Sequence, residues 1–315
     1  MTTFFTLQLI VPLILVAWMA AAPARSGLGF WLQLTATAAG LIAMGLTGLW
    51  LLPPWWTPYA FGVLLLPAAI SAWRQRRPFV SVLPRSIAGW GGAAFFVALA
   101  SVALWQTALA LRGRAPPPEK QVELAFPLER GNYLVVDGGY ALSINAHLTT
   151  LNPEVPRFNA WRGQSYGVDL VKINAAGLRT SGVQPAEPAA YLIYGTRVLA
   201  PCGGEVMVVV DGLPDMQVPK SDHVNLAANH VMLRCAGGDV LLGHLSSGSV
   251  KVQAGTRVRV GDWLGTVGNS GNTGEPHLHI HAQRPGSAHE PISGDPLPVS
   301  FGGRLLVRND RISIP

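Results

Sequence analysis

Acidic residues, lysine and histidine are absent from the first third of the chain, and this restricts what that part can fold into. Residues 1–113 contain no Asp, Glu, Lys or His, and their only charged side chains are six arginines. Eight of the ten tryptophans also lie there. A region this apolar is predicted to lie in lipid. The first acidic residue, Glu119, and all eight histidines come later, so acid–base or metal chemistry is expected in the remaining two thirds.

Four apolar segments lie in this region, and each is close to the roughly 20 residues that a membrane-spanning helix needs. They occupy residues 4–22, 31–52, 59–73 and 87–111. The sequence therefore predicts an anchor of four transmembrane helices at residues 1–113 and a Pro-rich linker at 114–130. A β-domain is expected at 131–300, followed by a C-terminal tail at 301–315.

The arginines predict the orientation of this anchor. Positive residues favour the cytoplasmic side, which places Arg25 and the arginines at 74–85 inside and both chain ends outside. The prediction is a multi-pass protein of the cytoplasmic (inner) membrane with a periplasmic, extracytoplasmic C-terminal domain. Cys202 and Cys235 would then lie in an oxidising compartment and form a candidate disulfide.

Two other classes of function are disfavoured by the same composition. The apolar segments carry no acid, Lys or His that would conduct ions, so an anchor is favoured over a transporter. No stripe of Lys and Arg with interleaved aromatic residues is present, so no nucleic-acid partner is predicted. The membrane bilayer is the partner expected for residues 1–113.

Short apolar runs separated by Gly, Pro, Asn and Asp predict an all-β sandwich or barrel after the linker. Strands are expected at residues 133–136, 168–173, 191–194, 205–210, 230–235, 240–244, 257–260, 263–267 and 277–282. The turn rhythm of residues 250–268 also occurs in biotinyl and lipoyl carriers. Those need a lysine in a hairpin turn, and Lys251 lies outside the expected turn, so a carrier is disfavoured.

Three histidines alternate with aliphatic residues after a turn rich in Gly, Asn and Ser. On a strand, a side-chain period of two places His277, His279 and His281 on one face, with Leu278 and Ile280 on the other. Such a face suits a metal ion beside a proton-transfer group. The alternative is a solvated strand that binds metal only incidentally.

Two further residues are candidate partners for these histidines. Asp169 lies near the start of a predicted strand and offers a carboxylate ligand, although a solvent-facing Asp is the alternative. His244 ends an apolar strand, where a hydrogen-bonded structural histidine is the more usual interpretation. Neither residue alone predicts a site.

Taken in order, several short motifs resemble the lysostaphin-type (LytM-type) zinc metallopeptidases over residues 131–284. They are Gly-Val-Asp-Leu at 167–170, Ala-Pro-Cys-Gly-Gly at 200–204, Asn-His-Val at 229–231, Gly-His-Leu at 243–245, and Gly-Asn-Ser-Gly at 268–271 before the His-Leu-His of 277–279. The resemblance implies a groove lined by an antiparallel sheet. It also implies hydrolysis of peptide bonds in peptidoglycan cross-links, here by a membrane-anchored enzyme.

The resemblance also assigns roles. Asp169 and His279 match zinc ligands, and His277 and His244 match the two catalytic histidines. A catalytic zinc wants three protein ligands and an open position for water. The family's remaining ligand, a His four residues before the Asp, is replaced by Ser165.

The sequence resembles a branch of the family that has Gln-x-Tyr-Gly-x-Asp here, at residues 164–169, and that carries an Asn-x-His segment upstream. This resemblance implies a substitute ligand at the end of Ile-Asn-Ala-His, residues 144–147. We expect His147 to be the third zinc ligand. If His147 is only a surface residue, the site is weak or empty. The domain would then be a metal-poor binding or regulatory module that activates or recruits other cell-wall hydrolases.

The other histidines receive no role from the sequence. His281 is expected to continue the strand face as a bystander, while His223, His230 and His289 are interpreted as surface or structural residues. The expected partners are peptidoglycan peptides and the membrane, with a membrane or cell-wall protein as a further candidate.

Overall fold

The computed structural model describes residues 2–76, 78–287 and 290–315. The chain divides into two units, Met1–Arg112 and Gly113–Pro315. The N-terminal unit contains α-helices, whereas the C-terminal unit is built on β-strands and short 3₁₀ helices. His289 lies outside the described residues.

The helices of the N-terminal unit are α1 (Thr2–Ala21), α2 (Gly27–Thr47), α3 (Thr57–Arg76) and α4 (Ile87–Arg112). Helix α2 begins at a serine cap, where Ser26 Oγ accepts a hydrogen bond of 3.1 Å from the Gly29 N–H. Small and aromatic side chains pack between the helices, including Phe30 and Ala72 in one cluster. The helices thus form at the four predicted apolar segments.

The prediction of a four-helix transmembrane region is nevertheless wrong. Among the described residues, two helices are long and apolar enough to cross a membrane, α2 and α4. The described apolar part of α1, Leu7–Ala21, is shorter than the roughly 20 residues that a span requires. Helix α3 carries Arg74 and Arg76 in its last turn, which lowers its hydropathy. Helix formation in an apolar segment therefore did not imply a membrane span.

The C-terminal unit contains thirteen described strands. They are β1 (Val122–Leu124), β2 (Gly131–Asp137), β3 (Val168–Lys172), β4 (Arg197–Leu199), β5 (Gly204–Val210), β6 (His230–Cys235), β7 (Gly238–Gly243), β8 (Arg257–Val258), β9 (Trp263–Thr266), β10 (Leu278–Gln283), β11 (Pro296–Leu297), β12 (Val299–Phe301) and β13 (Arg311–Ile314). A nine-stranded sheet has the order β13-β2-β3-β10-β7-β6-β5-β8, with β11 also paired to β10. The pairs β1–β12 and β4–β9 form two small separate sheets.

Alternation of side chains gives the large sheet two different faces. On one face, Leu170, Leu242 and Ile280 are fully buried in the main hydrophobic core. The opposite face carries Asp169 and His279 and is called the site face here. Two 3₁₀ helices, Ala146–Leu151 and Pro156–Tyr166, pack together beside the site face, and the second contacts β10. They are called the covering helices.

The predicted β-domain is confirmed, with corrections to its extent. Residues 191–194 are not a strand, because a short 3₁₀ helix, Pro188–Ala190, runs into a turn there. The covering helices were not predicted. Strand β1 lies within the predicted linker and pairs with β12, while β13 lies within the predicted tail and pairs with β2. Linker and tail are therefore parts of the β unit.

A disulfide joins Cys202, just before β5, to Cys235 at the end of β6. Its two cysteines are 33 residues apart in sequence. Cross-linking a loop of this length removes conformations from the unfolded chain, which in the chain-entropy account stabilises the folded state by about 2–4 kcal/mol. The bond therefore holds the outer part of the sheet together.

Replacing both cysteines, as Cys202→Ser with Cys235→Ser, should lower the free energy of unfolding of the C-terminal unit by about 2–4 kcal/mol. Urea unfolding of the full chain in detergent, followed by far-ultraviolet circular dichroism, measures this. A thiol reductant should shift the wild-type curve and leave the double variant unchanged. Identical wild-type curves with and without reductant would contradict the prediction.

Candidate functional site

The register of β3 against β10 places two predicted ligands side by side. Asp169 pairs directly with His279 across the two strands. His279 Nδ1 lies 2.9 Å from Asp169 Oδ1, and both residues are buried. Because the two strands are central in the sheet and antiparallel, their backbone hydrogen bonds fix the relative position of these side chains.

The covering helix Ala146–Leu151 brings His147 to the same carboxylate. His147 Nε2 lies 3.5 Å from Asp169 Oδ2. Asn145 caps this helix, and its Oδ1 accepts from the His147 backbone N–H at 3.1 Å and contacts His147 Nδ1 at 2.9 Å. Asn145 Nδ2 donates to the carbonyls of Gly139 and Gly167. Oδ1 is thus an acceptor, so His147 Nδ1 carries a proton, and Nε2 is the ring nitrogen that faces the carboxylate.

Ser165 has a structural place beside this helix. It is fully buried, its hydroxyl donates to the Arg162 carbonyl at 2.6 Å, and its Oγ lies 2.7 Å from Thr150 Oγ1. Thr150 Oγ1 in turn donates to the His147 carbonyl at 2.7 Å. The serine at the position of the family's usual ligand therefore ties one covering helix to the helix that carries His147.

The two histidines predicted as catalytic lie next to each other. The ring centroids of His244 and His277 are 4.6 Å apart, and His277 Nε2 is 3.7 Å from Asp169 Oδ2. Each ring has a backbone carbonyl at Nδ1: Ser270 O at 2.8 Å for His244 and Glu275 O at 2.9 Å for His277. A carbonyl only accepts, so both rings carry a proton on Nδ1.

Buried polar contacts fix the loop between β9 and β10. Asp215 Oδ1 accepts from the Asn269 backbone N–H at 2.6 Å, and Ser270 Oγ donates to the Leu245 carbonyl at 2.7 Å. Glu275 forms a two-point ion pair with Arg179, at 2.6 and 2.8 Å, and both side chains are buried. The carbonyls that orient His244 and His277 are thereby held in place.

The electrostatics of the group follow from burial and from the imidazoles. Burial alone would raise the pKa of Asp169, but the neighbouring His147, His277 and His279 lower it well below its usual range. Burial, followed by repulsion from His277 and His279, lowers the pKa of His244 well below the ordinary histidine value. Burial likewise lowers the pKa of His279. At neutral pH the carboxylate is charged while His244 and His279 are neutral.

The donor set suits a metal ion. His147, Asp169 and His279 each offer one ligand atom, and these atoms lie within 4.8 Å of one another. His147 Nε2 and His279 Nδ1 both face the Asp169 carboxylate, at 3.5 and 2.9 Å. Two imidazoles with one carboxylate form a ligand set typical of zinc.

The group opens into a cavity of about 350 Å³. The five site residues line it together with Arg157, Phe158, Trp161 and Leu226. The Arg157 guanidinium lies over the rings of Phe158 and Trp161, at 5.4 and 5.9 Å. The cavity therefore offers an apolar surface and a positive charge in addition to the histidines.

The remaining histidines differ in their surroundings. His223 Nδ1 contacts Asn272 Oδ1 at 3.0 Å in an exposed position. His230 is buried, with Nδ1 2.8 Å from the Ala228 carbonyl. His281 is not a bystander, because its Nδ1 lies 2.9 Å from His279 Nε2. The alternation of side chains along a strand, which predicted a shared face for His277 and His279, also predicts that His281 lies on that face.

Other contributors were missed from the sequence. Asn145 was visible as part of the Asn-Ala-His segment, and its capping role is a common one for Asn before a helix. The Arg179–Glu275 pair joins residues 96 positions apart, and no local pattern announces it. Long-range pairs of this kind become visible only in the folded chain.

Residues 190–291 match the model of peptidase family M23. The matched segment lies within the C-terminal unit, Gly113–Pro315. The resemblance to lysostaphin-type peptidases is thereby confirmed at the level of the family. The matched segment contains His244, His277 and His279, whereas His147 and Asp169 precede it and are brought to it by the fold.

Curated relatives match this chain over only a part of their own length. The "DD-carboxypeptidase/endopeptidase Mpg" of Neisseria meningitidis serogroup B is 36% identical over 100 residues, which cover 31% of this chain and 22% of that protein. The Neisseria gonorrhoeae protein of the same name gives the same values. The chain thus matches about a fifth of the length of these relatives.

Solved structures resemble the chain only partially. The catalytic domain of lysostaphin from Staphylococcus simulans is 20% identical with a TM-score of 0.26, covering 40% of this chain and 71% of that one. A zinc-containing peptidase from Vibrio cholerae is 19% identical with a TM-score of 0.23, covering 35% of each chain. Superpositions this limited carry no weight for function.

Gly167 leaves the space that His279 occupies. A Cβ at Gly167 would lie 2.6 Å from His279 Cε1, so Gly167→Ala should push the ring away from Asp169. The φ of −59° at Gly167 is allowed for alanine, although the added Cβ would also lie 2.9 Å from the Gln164 carbonyl oxygen, which has to shift. Zinc affinity, measured by competition with a chelator, should fall by about tenfold or more.

Gly203→Ala is the matched control, because the nearest atom to its added Cβ, Val258 O, is 3.7 Å away. This variant should bind zinc as the wild type does. Equal affinities for Gly167→Ala and Gly203→Ala would show that the position of His279 does not govern metal binding.

Proposed function

We propose that the chain is a zinc metalloendopeptidase that hydrolyses peptide bonds in peptidoglycan cross-links. The observation that carries this proposal is the group of ligand atoms from His147, Asp169 and His279. The group opens into a cavity of the C-terminal unit, in which residues 190–291 match the model of peptidase family M23. The name of the Neisseria relatives, which describes a carboxypeptidase and endopeptidase, supports hydrolysis of peptide bonds. Peptidoglycan is the substrate that the lysostaphin-type resemblance implies.

His147 Nε2, Asp169 and His279 Nδ1 would hold the zinc. When bound, zinc supplies Lewis acidity, which polarises a scissile carbonyl and lowers the pKa of a water to about 7. The neighbouring lone pairs at His277 Nε2 and His244 Nε2 can accept a proton. Their Nδ1 protons are committed to the Glu275 and Ser270 carbonyls, so the proton-accepting nitrogen of each ring faces the cavity.

His277 and His244 then act as the catalytic pair. One neutral imidazole takes the proton of the attacking water, and a protonated imidazole donates to the oxyanion or to the leaving amine. A substrate peptide would lie against the apolar wall of Phe158 and Trp161. Arg157 adds a positive charge there that complements the carboxylates of wall peptides.

The membrane and the periplasm are proposed as the setting. The two apolar helices, α2 and α4, support membrane association of the N-terminal unit. The Cys202–Cys235 disulfide supports an oxidising, extracytoplasmic compartment for the C-terminal unit. A membrane or cell-wall protein is a further proposed partner.

The purified full chain in detergent should contain about one zinc and release new amino groups from isolated sacculi. A strong chelator should abolish the release, and added zinc should restore it. A chain that lacks zinc and binds sacculi without releasing amino groups would instead be a binding or regulatory module. The hydrolase would then be excluded.

Single substitutions separate metal binding from proton transfer. His147→Ala should weaken zinc binding, because it removes a ligand atom. His277→Ala should keep the zinc and lower turnover by about 10²–10⁴-fold, because it removes a proton acceptor. Zinc affinity is measured by chelator competition and turnover by amino-group release.

His223→Ala serves as the control. This exposed histidine contacts Asn272 and has no part in the proposed zinc binding or proton transfer. It should change neither measurement. Loss of zinc in both the His147 and His277 variants, or in neither, would falsify the division of roles.

A further inference from the structure

A second cavity, of about 290 Å³, lies beside the cavity of the five site residues and is called the side cavity here. The two cavities are lined in common by four residues, Trp161, Leu226, Ala227 and Ile292. The lining of the side cavity also includes His230. An extended ligand bound at the five site residues can therefore continue past the shared wall into the side cavity.

The register of the sheet places His230 two strands from His279. Strand β7 lies between β6 and β10. Val231 pairs with Leu242, so His230 lies opposite Gly243 one step further along the register. His279 pairs with the same glycine from the other side. Two strand spacings separate the backbones of the two histidines by about 10 Å, which an extended peptide covers in about three residues.

His230 contributes a buried polar atom without a partner. The residue is 7% exposed, and its Nδ1 lies 2.8 Å from the Ala228 carbonyl, so Nδ1 carries a proton. Burial lowers the pKa of His230, which leaves Nε2 as an acceptor at neutral pH. Nε2 has no hydrogen-bond partner within the part of the chain that the structure describes. An unpaired buried acceptor costs free energy, which a donor from a ligand would recover.

A loop forms the wall of the side cavity next to this histidine. Residues 224–228 line the cavity in an unbroken run and adopt neither helix nor strand. Because Nε2 itself is covered, a ligand reaches it only if this wall moves. Val224 in the wall is 87% exposed and packs little, so a small displacement of the loop is not opposed by loss of core contacts.

The other side chains of the side cavity define the kind of group that fits. Leu213, Leu226 and Ile292 supply apolar surface, and Glu290 adds an exposed carboxylate. A ligand that suits apolar walls, a buried acceptor and a carboxylate is aliphatic along its length and carries an amine at its end. A protonated amine is positively charged and has three N–H donors, so it can serve both polar groups at once.

We propose that the side cavity is a substrate subsite for an aliphatic side chain that ends in an amine. His230 Nε2 accepts a hydrogen bond from the amine, and Glu290 supplies the opposite charge. The subsite selects a residue within about three positions of the bond that is cut. This inference rests on the proposed peptidase function and deepens it by naming a feature of the substrate.

Pairs of synthetic peptides that differ only in the amine test the subsite. The probes are capped alanine tetrapeptides in which lysine, or norleucine of the same carbon length, replaces each alanine in turn. Binding is measured by calorimetry to the full-length His277→Ala variant in detergent, so that the peptides are not turned over. At one position or more, the lysine peptide should bind about tenfold more tightly than its norleucine partner.

Substitutions in the side cavity should remove this preference. In the same background, His230→Leu fills similar space without an acceptor, so it should lower lysine-peptide affinity about tenfold and leave norleucine-peptide affinity unchanged. Glu290→Gln should lower lysine-peptide affinity about two- to fivefold. Glu205→Gln is the matched control, because this exposed glutamate lies on β5 outside the lining of either cavity, and it should have no effect.

Three results would overturn the subsite. They are equal affinity for lysine and norleucine peptides at every position, no binding of any peptide, and a lysine preference that survives in both His230→Leu and Glu290→Gln. Glu290 is exposed, so its variant tests the subsite even if His230→Leu does not fold. A wild type that lacks zinc and releases no amino groups, while the lysine preference holds, would exclude the peptidase and retain the subsite.

Discussion

The buried carboxylate of Asp169 is the group on which the arrangement of the site depends. A carboxylate removed from water costs several kcal/mol unless charges or donors surround it. Here His147 Nε2 and His277 Nε2 face one oxygen at 3.5 and 3.7 Å, and His279 Nδ1 faces the other at 2.9 Å. These imidazoles offset the cost of burial and lower the pKa of the Asp169 carboxyl well below its usual range.

The ligand atoms come from two parts of the fold that are held in different ways. Asp169 and His279 are fixed by backbone pairing of central strands, which leaves little freedom in their separation. His147 comes from a short 3₁₀ helix, and its position depends on side-chain bonds from Asn145 and from the Thr150–Ser165 contact. A metal bound by all three would therefore join the covering layer to the sheet.

Sequence patterns predicted the parts of this site that depend on local periodicity. The period of two identified the face shared by His277 and His279, and turn residues delimited the strands. The pairing of Asp169 with His279 is a matter of strand register, which no local pattern states, and His147 was reached only through the family resemblance. The covering helices were missed because 3₁₀ segments have no 3.6-residue apolar period. The membrane region was over-interpreted. Apolar composition alone did not separate the short apolar part of α1 or the arginine-ended α3 from α2 and α4, the two helices that are long and apolar enough to cross a membrane.

The backbone at His244 has a consequence for how such a site can change over time. His244 adopts φ 61°, a left-handed conformation that costs a residue with a Cβ about 1–2 kcal/mol and that glycine accepts freely. A change to glycine there relieves strain while it deletes an imidazole from the cavity. Drift towards greater stability at this position therefore leads to an inert, well-folded protein. A histidine in this conformation therefore places an imidazole in the cavity at a cost in stability.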